Sequence, residues 1–175
     1  MDVLSDRDKC RLENNYITAY GSTANAALIM NNKILTISIG DGGIFFVHSD
    51  FNRIDHCEDD EDNVANITNS LCNDDVFSHL SVNIYEKEDI AIVFCVTDGV
   101  VNPYQSYDNF NNSFAIPFCK ELLSSKKGIY KAKEFIKTLG IYSGIGDDVS
   151  IALYMNIESK SFKGKVAKAE MKVEE

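Results

Sequence analysis

The sequence lacks several features that would each assign it to a broad class of protein. Its 175 residues contain no apolar run close to the roughly eighteen residues of a membrane-spanning helix, and the N-terminus has no apolar signal core. No basic stripe occurs, because 17 basic residues stand against 27 acidic ones and give a formal net charge of -10. We therefore expect neither nucleic acid nor a membrane surface as a partner.

A disulfide framework is also missing. The five cysteines are odd in number and contain no Cys-x-x-Cys pair. This spacing suits a reducing compartment better than a secreted scaffold, so we expect a cytoplasmic protein. Cys95 lies inside an apolar run and is expected to be a small core residue.

What the chain does contain is an apolar fraction of 45%, which is enough for the core of one globular domain. Two β-type runs, 22–30 and 33–38, are separated by an Asn-Asn pair that suits a tight turn, and a third run covers 44–47. These runs predict a three-stranded antiparallel meander.

The second half of the chain alternates strand-like and helical patterns. Residues 81–85 alternate and predict a strand that forms a hairpin with the next one. Residues 90–96 (IAIVFCV) are almost wholly apolar, which is typical of a strand buried on both faces. A polar, asparagine-rich loop is expected over 102–112. Helices are predicted at 114–123 and at 130–139 with a stop at Gly140, and a last strand at 149–155.

The order of these patterns predicts an α+β fold in which antiparallel β-sheets, a β-sandwich, are flanked by helices. We expect one domain over 1–157, with a polar arm at 1–20. Residues 158–175 mix five lysines with four glutamates, and either an exposed helix or a disordered extension fits them.

Three short loops set an aspartate beside glycine at the end of an apolar, β-branched run. They are Ile39-Gly40-Asp41-Gly42-Gly43, Thr97-Asp98-Gly99-Val100 and Gly144-Ile145-Gly146-Asp147-Asp148. A carboxylate next to a residue without a side chain can present its oxygens to a hard cation. Three such loops in one small domain predict a shared divalent-metal site.

With Gly21-Ser22-Thr23-Ala24 opening a strand ahead of them, the loops occur in an order that resembles the metal-dependent protein phosphatases of type 2C, particularly their compact bacterial members. The resemblance covers residues 21–155. It implies hydrolysis of phosphoserine or phosphothreonine in phosphorylated proteins, by a water activated by two manganese or magnesium ions, and a role in signalling. The oligomeric state is not readable from it.

The resemblance also implies roles for individual residues. Asp98 and Asp147 match two metal-binding aspartates, and Asp41 matches one associated with an additional, weaker metal. Asp148 is expected to support its loop, and Thr23 to occupy a buried strand position. The glycines Gly42, Gly43, Gly99 and Gly146 would let the backbone pass close to the site, and His48, His56 and His79 match no motif and are expected to be surface or packing residues.

Elements that the family carries upstream are missing here. They are an arginine for the substrate phosphate, a Glu-Asp element and an Asp-Gly-x-Gly-Gly loop whose aspartate bridges both metals. The Asp41 loop does not replace it, because a strand and hairpin precede that loop and strand-like residues follow it. Arg7, Arg11 and Arg53 match no motif.

We therefore expect weak activity or none from this polypeptide alone. It is either a truncated piece of a phosphatase or a non-catalytic relative that binds phosphoproteins or another partner. An unrelated α+β protein, such as a metal-binding regulatory module, is the third interpretation.

Overall fold

The computed structural model describes residues 5–14, 16–17, 21–57, 69–122, 127–142 and 149–156. Helix α1 (Asp6–Asn14) is followed by the strands β1 (Ala24–Ile29), β2 (Lys33–Ile39), β3 (Gly43–His48) and β4 (Ile54–His56). A 3-10 turn (Val76–Ser78) then precedes β5 (Ser81–Glu86) and β6 (Ile90–Val96). The last elements are α2 (Asp98–Val101), α3 (Tyr107–Phe110), a π-helical segment (Asn111–Ala115), α4 (Ile116–Leu122), α5 (Gly128–Tyr142) and β7 (Ile151–Met155).

The strands form two antiparallel sheets. Sheet one has the order β1-β2-β5, and sheet two has the order β4-β3-β6-β7. One face of sheet two contacts sheet one, and the other is covered by α3, the π-helical segment, α4 and α5. The predicted fold class, a β-sandwich flanked by helices, is confirmed.

Sheet two is the centre of the molecule because both of its faces are buried. In β6, all residues except Cys95 are less than a tenth exposed, as the continuous apolar run predicts. On the helical side, Phe110 packs against Phe45 with ring centroids 4.6 Å apart and stacks on Phe114 at 5.3 Å. Aromatic burial therefore holds the helices onto sheet two.

The buried cluster between the two sheets is smaller than the one between sheet two and the helices, and it contains polar atoms. Cys57, directly after β4, is 3% exposed, and its Sγ lies 3.1 Å from both Thr36 Oγ1 and Tyr85 Oη. The apolar side chains around it include Ile34, Ile44, Phe46 and Val93. Cys95 packs against this cluster as predicted, but it is only partly buried.

The predicted meander is wrong at its third strand. β1 and β2 form the expected hairpin, but β3 pairs with β6 in the other sheet. Gly40 and Gly42 both have positive φ, +86° and +94°, and this turn carries the chain out of sheet one. The predicted hairpin between residues 81–85 and 90–96 is also wrong, since β5 pairs with β2.

The helical region begins earlier and ends later than predicted. Residues 107–112 of the expected loop are helical, because Ser106 Oγ accepts a hydrogen bond of 3.2 Å from Asn109 N and caps α3. α5 continues through Gly140 to Tyr142.

Among the described helices, none is long and apolar enough to cross a lipid bilayer. The boundary expected at residue 157 lies outside the described residues and stays a prediction.

Candidate metal-binding site

The turn after β2 brings Asp41 to the end of the sandwich where β6 ends. Gly42 lies against β6 so closely that a Cβ there would be 2.4 Å from the carbonyl oxygen of Val96. The same Cβ would be 3.5 Å from the backbone nitrogen of Asp98. Because only glycine fits this position, the sequence Asp-Gly sets the Asp41 turn directly beside the Asp98 loop.

Asp98 is the first residue of α2, immediately after β6 and its cap residue Thr97. Its Oδ1 accepts a hydrogen bond from the Gly99 backbone nitrogen at 2.9 Å, and its Oδ2 lies 3.4 Å from Asn102 Nδ2. These contacts orient the carboxylate at the strand end. Asp41 and Asp98 are both partly buried, so neither is fully surrounded by water.

Two polar strand residues hold the Asp41 turn in place. Asn25 in β1 donates from Nδ2 to the carbonyl oxygen of Asp41 at 2.9 Å, and Ser38 in β2 donates to Asn25 Oδ1 at 2.6 Å. Sequence reasoning missed both residues. The available signal was the presence of polar side chains at positions of β1 and β2 that face the other sheet.

Ser150, which follows the third predicted loop in sequence, is hydrogen-bonded to the residue after β6. Thr97 N donates to the carbonyl oxygen of Ser150 at 3.1 Å, and Ser150 N donates to Thr97 Oγ1 at 2.9 Å. Ser150 is three residues after Asp147, a separation that an extended chain spans in roughly 10 Å. Gly146, Asp147 and Asp148 themselves lie outside the described residues.

A cavity of about 190 Å³ opens between the ends of the two sheets. Its lining includes Asp41, Asn25, Thr97, Ser150 and Thr23. Its volume is below the several hundred Å³ of most sites for organic ligands, and it suits ions and water.

The position of Thr23 differs from the prediction, since Thr23 is exposed and precedes β1 rather than being buried within it. A Cβ on Gly40 would meet the Thr23 methyl group at 2.3 Å. The role left for Thr23 in the described structure is to pack against the turn that carries Asp41.

Cys95 also lines this cavity, but it is a poor metal ligand. Burial, with a smaller effect from Cys57, raises the pKa of the Cys95 thiol to about 11. Thiolate is the form that binds metals, so the oxygen donors dominate at neutral pH.

The three histidines have contacts elsewhere, in agreement with their expected packing or surface roles. His48 Nε2 lies 2.8 Å from Asp55 Oδ2, and His79 Nε2 lies 3.1 Å from Asp75 Oδ2. The ring of His56 packs on Tyr107 with a centroid separation of 4.3 Å. Arg53 is engaged with Asp55 as well, at 2.8 Å.

The donor set at the sandwich end matches a hard divalent cation in chemical type. Carboxylate and carbonyl oxygens are the ligands that magnesium and manganese prefer. The number of side-chain ligands is small, since no three His, Cys, Asp or Glu side chains come together within the described residues. Asp41 and Asp98 are the described members of the predicted site.

The chain is similar to known proteins at the level of a family and of a fold. A family model described as "Protein phosphatase 2C" matches residues 1–133. A search of curated protein sequences returned no significant match.

Several solved structures share the fold. The serine/threonine phosphatase Stp1 from Staphylococcus aureus is 14% identical and aligns over 91% of this chain and 72% of its own, with a TM-score of 0.54. The Mycobacterium tuberculosis serine/threonine phosphatase PstP/Ppp is 16% identical over 84% and 69%, with a TM-score of 0.54. The catalytic domain of a serine threonine protein phosphatase PstP, solved in complex with two manganese ions, is 18% identical over 87% and 70%, with a TM-score of 0.53.

Proposed function

The chain belongs to the protein phosphatase 2C family, and we propose that it hydrolyses phosphoserine or phosphothreonine in proteins at a metal site formed by Asp98, Asp147 and Asp41. The observation that carries this proposal is the contact between the Asp41 turn and the start of α2 at Asp98. Two loops that are 57 residues apart in sequence, 98 minus 41, meet at one end of the sandwich.

The residues divide into ligands and supports. Asp98 and Asp147 bind manganese or magnesium, and Asp41 contributes more weakly. Asn25 fixes the Asp41 backbone, and Gly99 orients the Asp98 carboxylate through its N–H. The Thr97–Ser150 pair holds the residue three positions after Asp147 at the same strand end. Gly42 and Gly146 allow close approach of the backbone, and Asp148 supports its loop.

A bound divalent metal supplies two things to this chemistry: it lowers the pKa of a coordinated water and it neutralises charge on the phosphate oxygens. An activated water attacks the phosphate directly in such chemistry, so no covalent intermediate on the protein is then needed. The substrate is a phosphorylated protein. The cytoplasmic location and a signalling role stay predictions from sequence.

A second candidate is a non-catalytic domain that binds phosphoproteins or another partner. One observation favours it: the described residues provide no cluster of three metal-ligating side chains. In addition, the sequence contains no Asp-Gly-x-Gly-Gly element to bridge two metals. Such a domain would retain one weak metal site without turnover.

One experiment distinguishes these candidates. Manganese is titrated into the purified chain by calorimetry, and hydrolysis of a phosphothreonine peptide is then measured in the same sample. We expect Asp98→Asn and Asp147→Asn each to weaken manganese binding at least tenfold. Asp74→Asn, which changes an exposed aspartate of the 69–80 segment, serves as the matched control.

The outcomes separate clearly. Binding with turnover establishes the phosphatase and shows that a bridging aspartate is dispensable here. Binding without turnover is expected both of a truncated phosphatase and of the non-catalytic domain. Restoring the upstream segment then separates the two, because turnover returns only in a truncated phosphatase. Unchanged manganese binding in both aspartate variants contradicts the site itself.

A further inference from the structure

A groove open to solvent lies between α4 and α5. Its volume is about 550 Å³, which is within the range of roughly 300–1,000 Å³ that is common for binding pockets. One wall is a single stripe of α5, with the spacing i, i+3, i+4, i+7, and the other wall is α4. The lining includes Lys131, Glu134, Phe135 and Thr138 of α5, and Phe118 and Glu121 of α4. We call this cavity the α4–α5 groove.

Aromatic rings supply the apolar part of the α4–α5 groove. Phe118 and Phe135 lie nearly parallel with their ring centroids 6.4 Å apart, and both stack on Phe114 at 5.3 and 5.5 Å. Phe118 is 3% exposed, whereas Phe135 is 37% exposed. Phe135 is therefore held firmly by its neighbours and still presents apolar surface that a side chain of another molecule can cover.

The two acidic residues of the lining are each paired with a lysine. Lys131 Nζ lies 2.7 Å from Glu121 Oε1, and this pair links α5 to α4. Lys137 Nζ lies 2.7 Å from Glu134 Oε1, one helical turn along α5. Both carboxylates of the lining are therefore neutralised by a neighbouring lysine.

The charge balance of the whole chain hides a local excess of lysine on these helices. Residues 120–137 contain six lysines and two glutamates, whereas the rest of the chain contains 11 basic and 25 acidic residues. Lys127, one turn before Lys131, is linked to it by a backbone hydrogen bond of 3.0 Å. Within the part of these helices that the structure describes, the exposed residues without an ion-pair partner include Lys120, Lys127 and Lys133.

This local excess determines which partners the groove attracts. At physiological ionic strength, charges more than about 8 Å apart are largely screened from each other. The lysines of residues 120–137 therefore act on a molecule in the groove more strongly than the net charge of -10 does. An anionic partner is attracted to this surface and repelled by the acidic remainder of the chain, which favours one docking position.

We propose that the α4–α5 groove is a docking site for an acidic segment of another protein. One large apolar side chain of that segment packs against Phe135, and its carboxylates lie beside Lys127 and Lys131. An apolar anchor in a pocket, surrounded by charged residues, is the arrangement that protein interfaces commonly use. This binding requires neither a metal ion nor turnover, so it is independent of the hydrolysis proposed above.

Other occupants match the groove less well. Nucleic acid carries evenly spaced phosphates, which would meet the acidic remainder of the chain beyond the groove. A second copy of the chain would offer its own acidic stretch at residues 55–62 (DHCEDDED), which contains no large apolar residue to serve as the anchor.

The test is isothermal titration calorimetry of the full chain, without metal, using a synthetic peptide of glutamates and aspartates with one central phenylalanine. We expect a Kd below about 100 μM. A peptide with serine in place of the phenylalanine should bind about tenfold more weakly, because it buries no aromatic ring. A peptide with lysines in place of the acidic residues should show no binding.

Substitutions in the chain then locate the bound peptide. Thr138→Glu adds a carboxylate at an exposed position of the lining and should weaken binding about tenfold, whereas the neutral Thr138→Gln of equal size should stay within about threefold. Lys127→Glu should weaken binding about fivefold. Lys33→Glu makes the same charge change on sheet one and should leave the Kd within about twofold.

Each contrary result overturns the proposal. Equal binding of the phenylalanine and serine peptides removes the anchor, and binding unchanged by both Thr138→Glu and Lys127→Glu places the peptide elsewhere. An oligothymidylate that binds as tightly as the peptide assigns the surface to nucleic acid. A dimer that Thr138→Glu dissociates in sedimentation velocity assigns the groove to a second copy. Because no metal is present, loss of phosphatase activity has no bearing on these outcomes.

Discussion

The two sheets share antiparallel pairing but differ in how their outer faces are covered. The outer face of sheet two is packed by helices whose Phe110 and Phe114 are completely buried, whereas Val82 and Ile84 on sheet one stay more than half exposed among the described residues. Hydrophobic alternation therefore identifies the apolar side of a strand but not what covers that side.

The largest expected effect lies on the covered side. Phe114→Ala removes a ring that stacks on Phe110, Phe118 and Phe135 at centroid distances of 5.3, 5.3 and 5.5 Å. We expect the free energy of unfolding to fall by about 3–5 kcal/mol in urea titration. Phe77→Ala, at a residue 87% exposed, should change it by less than about 0.5 kcal/mol. Equal losses of unfolding free energy in the two variants would contradict the conclusion that Phe114 is packed under the helices while Phe77 is exposed.

The next effect lies at the turn that joins the two sheets. Gly42→Ala forces a side chain onto a residue with φ +94° and into the carbonyl oxygen of Val96. We expect a loss of about 2 kcal/mol or more in unfolding free energy, together with weaker manganese binding. Full stability in this variant would mean that the turn is not constrained as described.

A smaller effect tests the outer face of sheet one directly. Ile84 is 63% exposed, so Ile84→Ala removes little buried apolar surface and should lower the free energy of unfolding by less than about 0.5 kcal/mol. The measurement is a urea titration of this variant beside the unmodified chain. A loss as large as that of Phe114→Ala would show that this face is covered in solution.

The smallest effect concerns the edge of sheet two. Burial raises the pKa of Asp55, but hydrogen bonds and charges from His48 and Arg53 outweigh it and hold the pKa below its ordinary value. This stabilisation is present above the unfolded pKa of about 3.9 and is lost as the pH falls through the folded pKa. Because the Asp55 side chain is 39% exposed, we expect only a few tenths of a kcal/mol.

The measurement is the difference in unfolding free energy between the unmodified chain and Asp55→Asn from pH 7 to pH 3. It should begin to shrink below about pH 4, where Asp55 becomes protonated in the unfolded state, and it should disappear only below the lowered folded-state pKa. A difference that stays constant over this range would contradict the assigned role of the His48 and Arg53 contacts.

Much of the fold was readable from sequence because it depends on local patterns. The β1–β2 hairpin, the doubly buried β6 and the helices α4 and α5 each have a hydrophobic period of their own. The pairing of β3 with β6 and of β5 with β2 was not readable. Partner choice depends on a turn at Gly40 and Gly42 and on packing between distant segments, which no local period encodes.

The candidate metal site was likewise only partly predictable from the sequence. Asp41 and Asp98 were predicted, because an aspartate beside glycine at a strand end is a local signal, and the structure brings their loops together. Asn25 and Ser38 were missed, since polar residues within a strand become meaningful only once their neighbours across the sheet are known. The roles of Asp147, Asp148 and Gly146 stay predictions.

Cys57, in contact with Thr36 and Tyr85 between the sheets, can report when the two sheets separate. Cys57 between the sheets is 3% exposed, and Cys119 under the helices is 1% exposed with its pKa raised to about 12 by burial. A thiol reagent can reach either one only after its own layer separates. The two labelling rates in a single sample therefore time the opening of the sandwich interior against the lifting of the helices from sheet two.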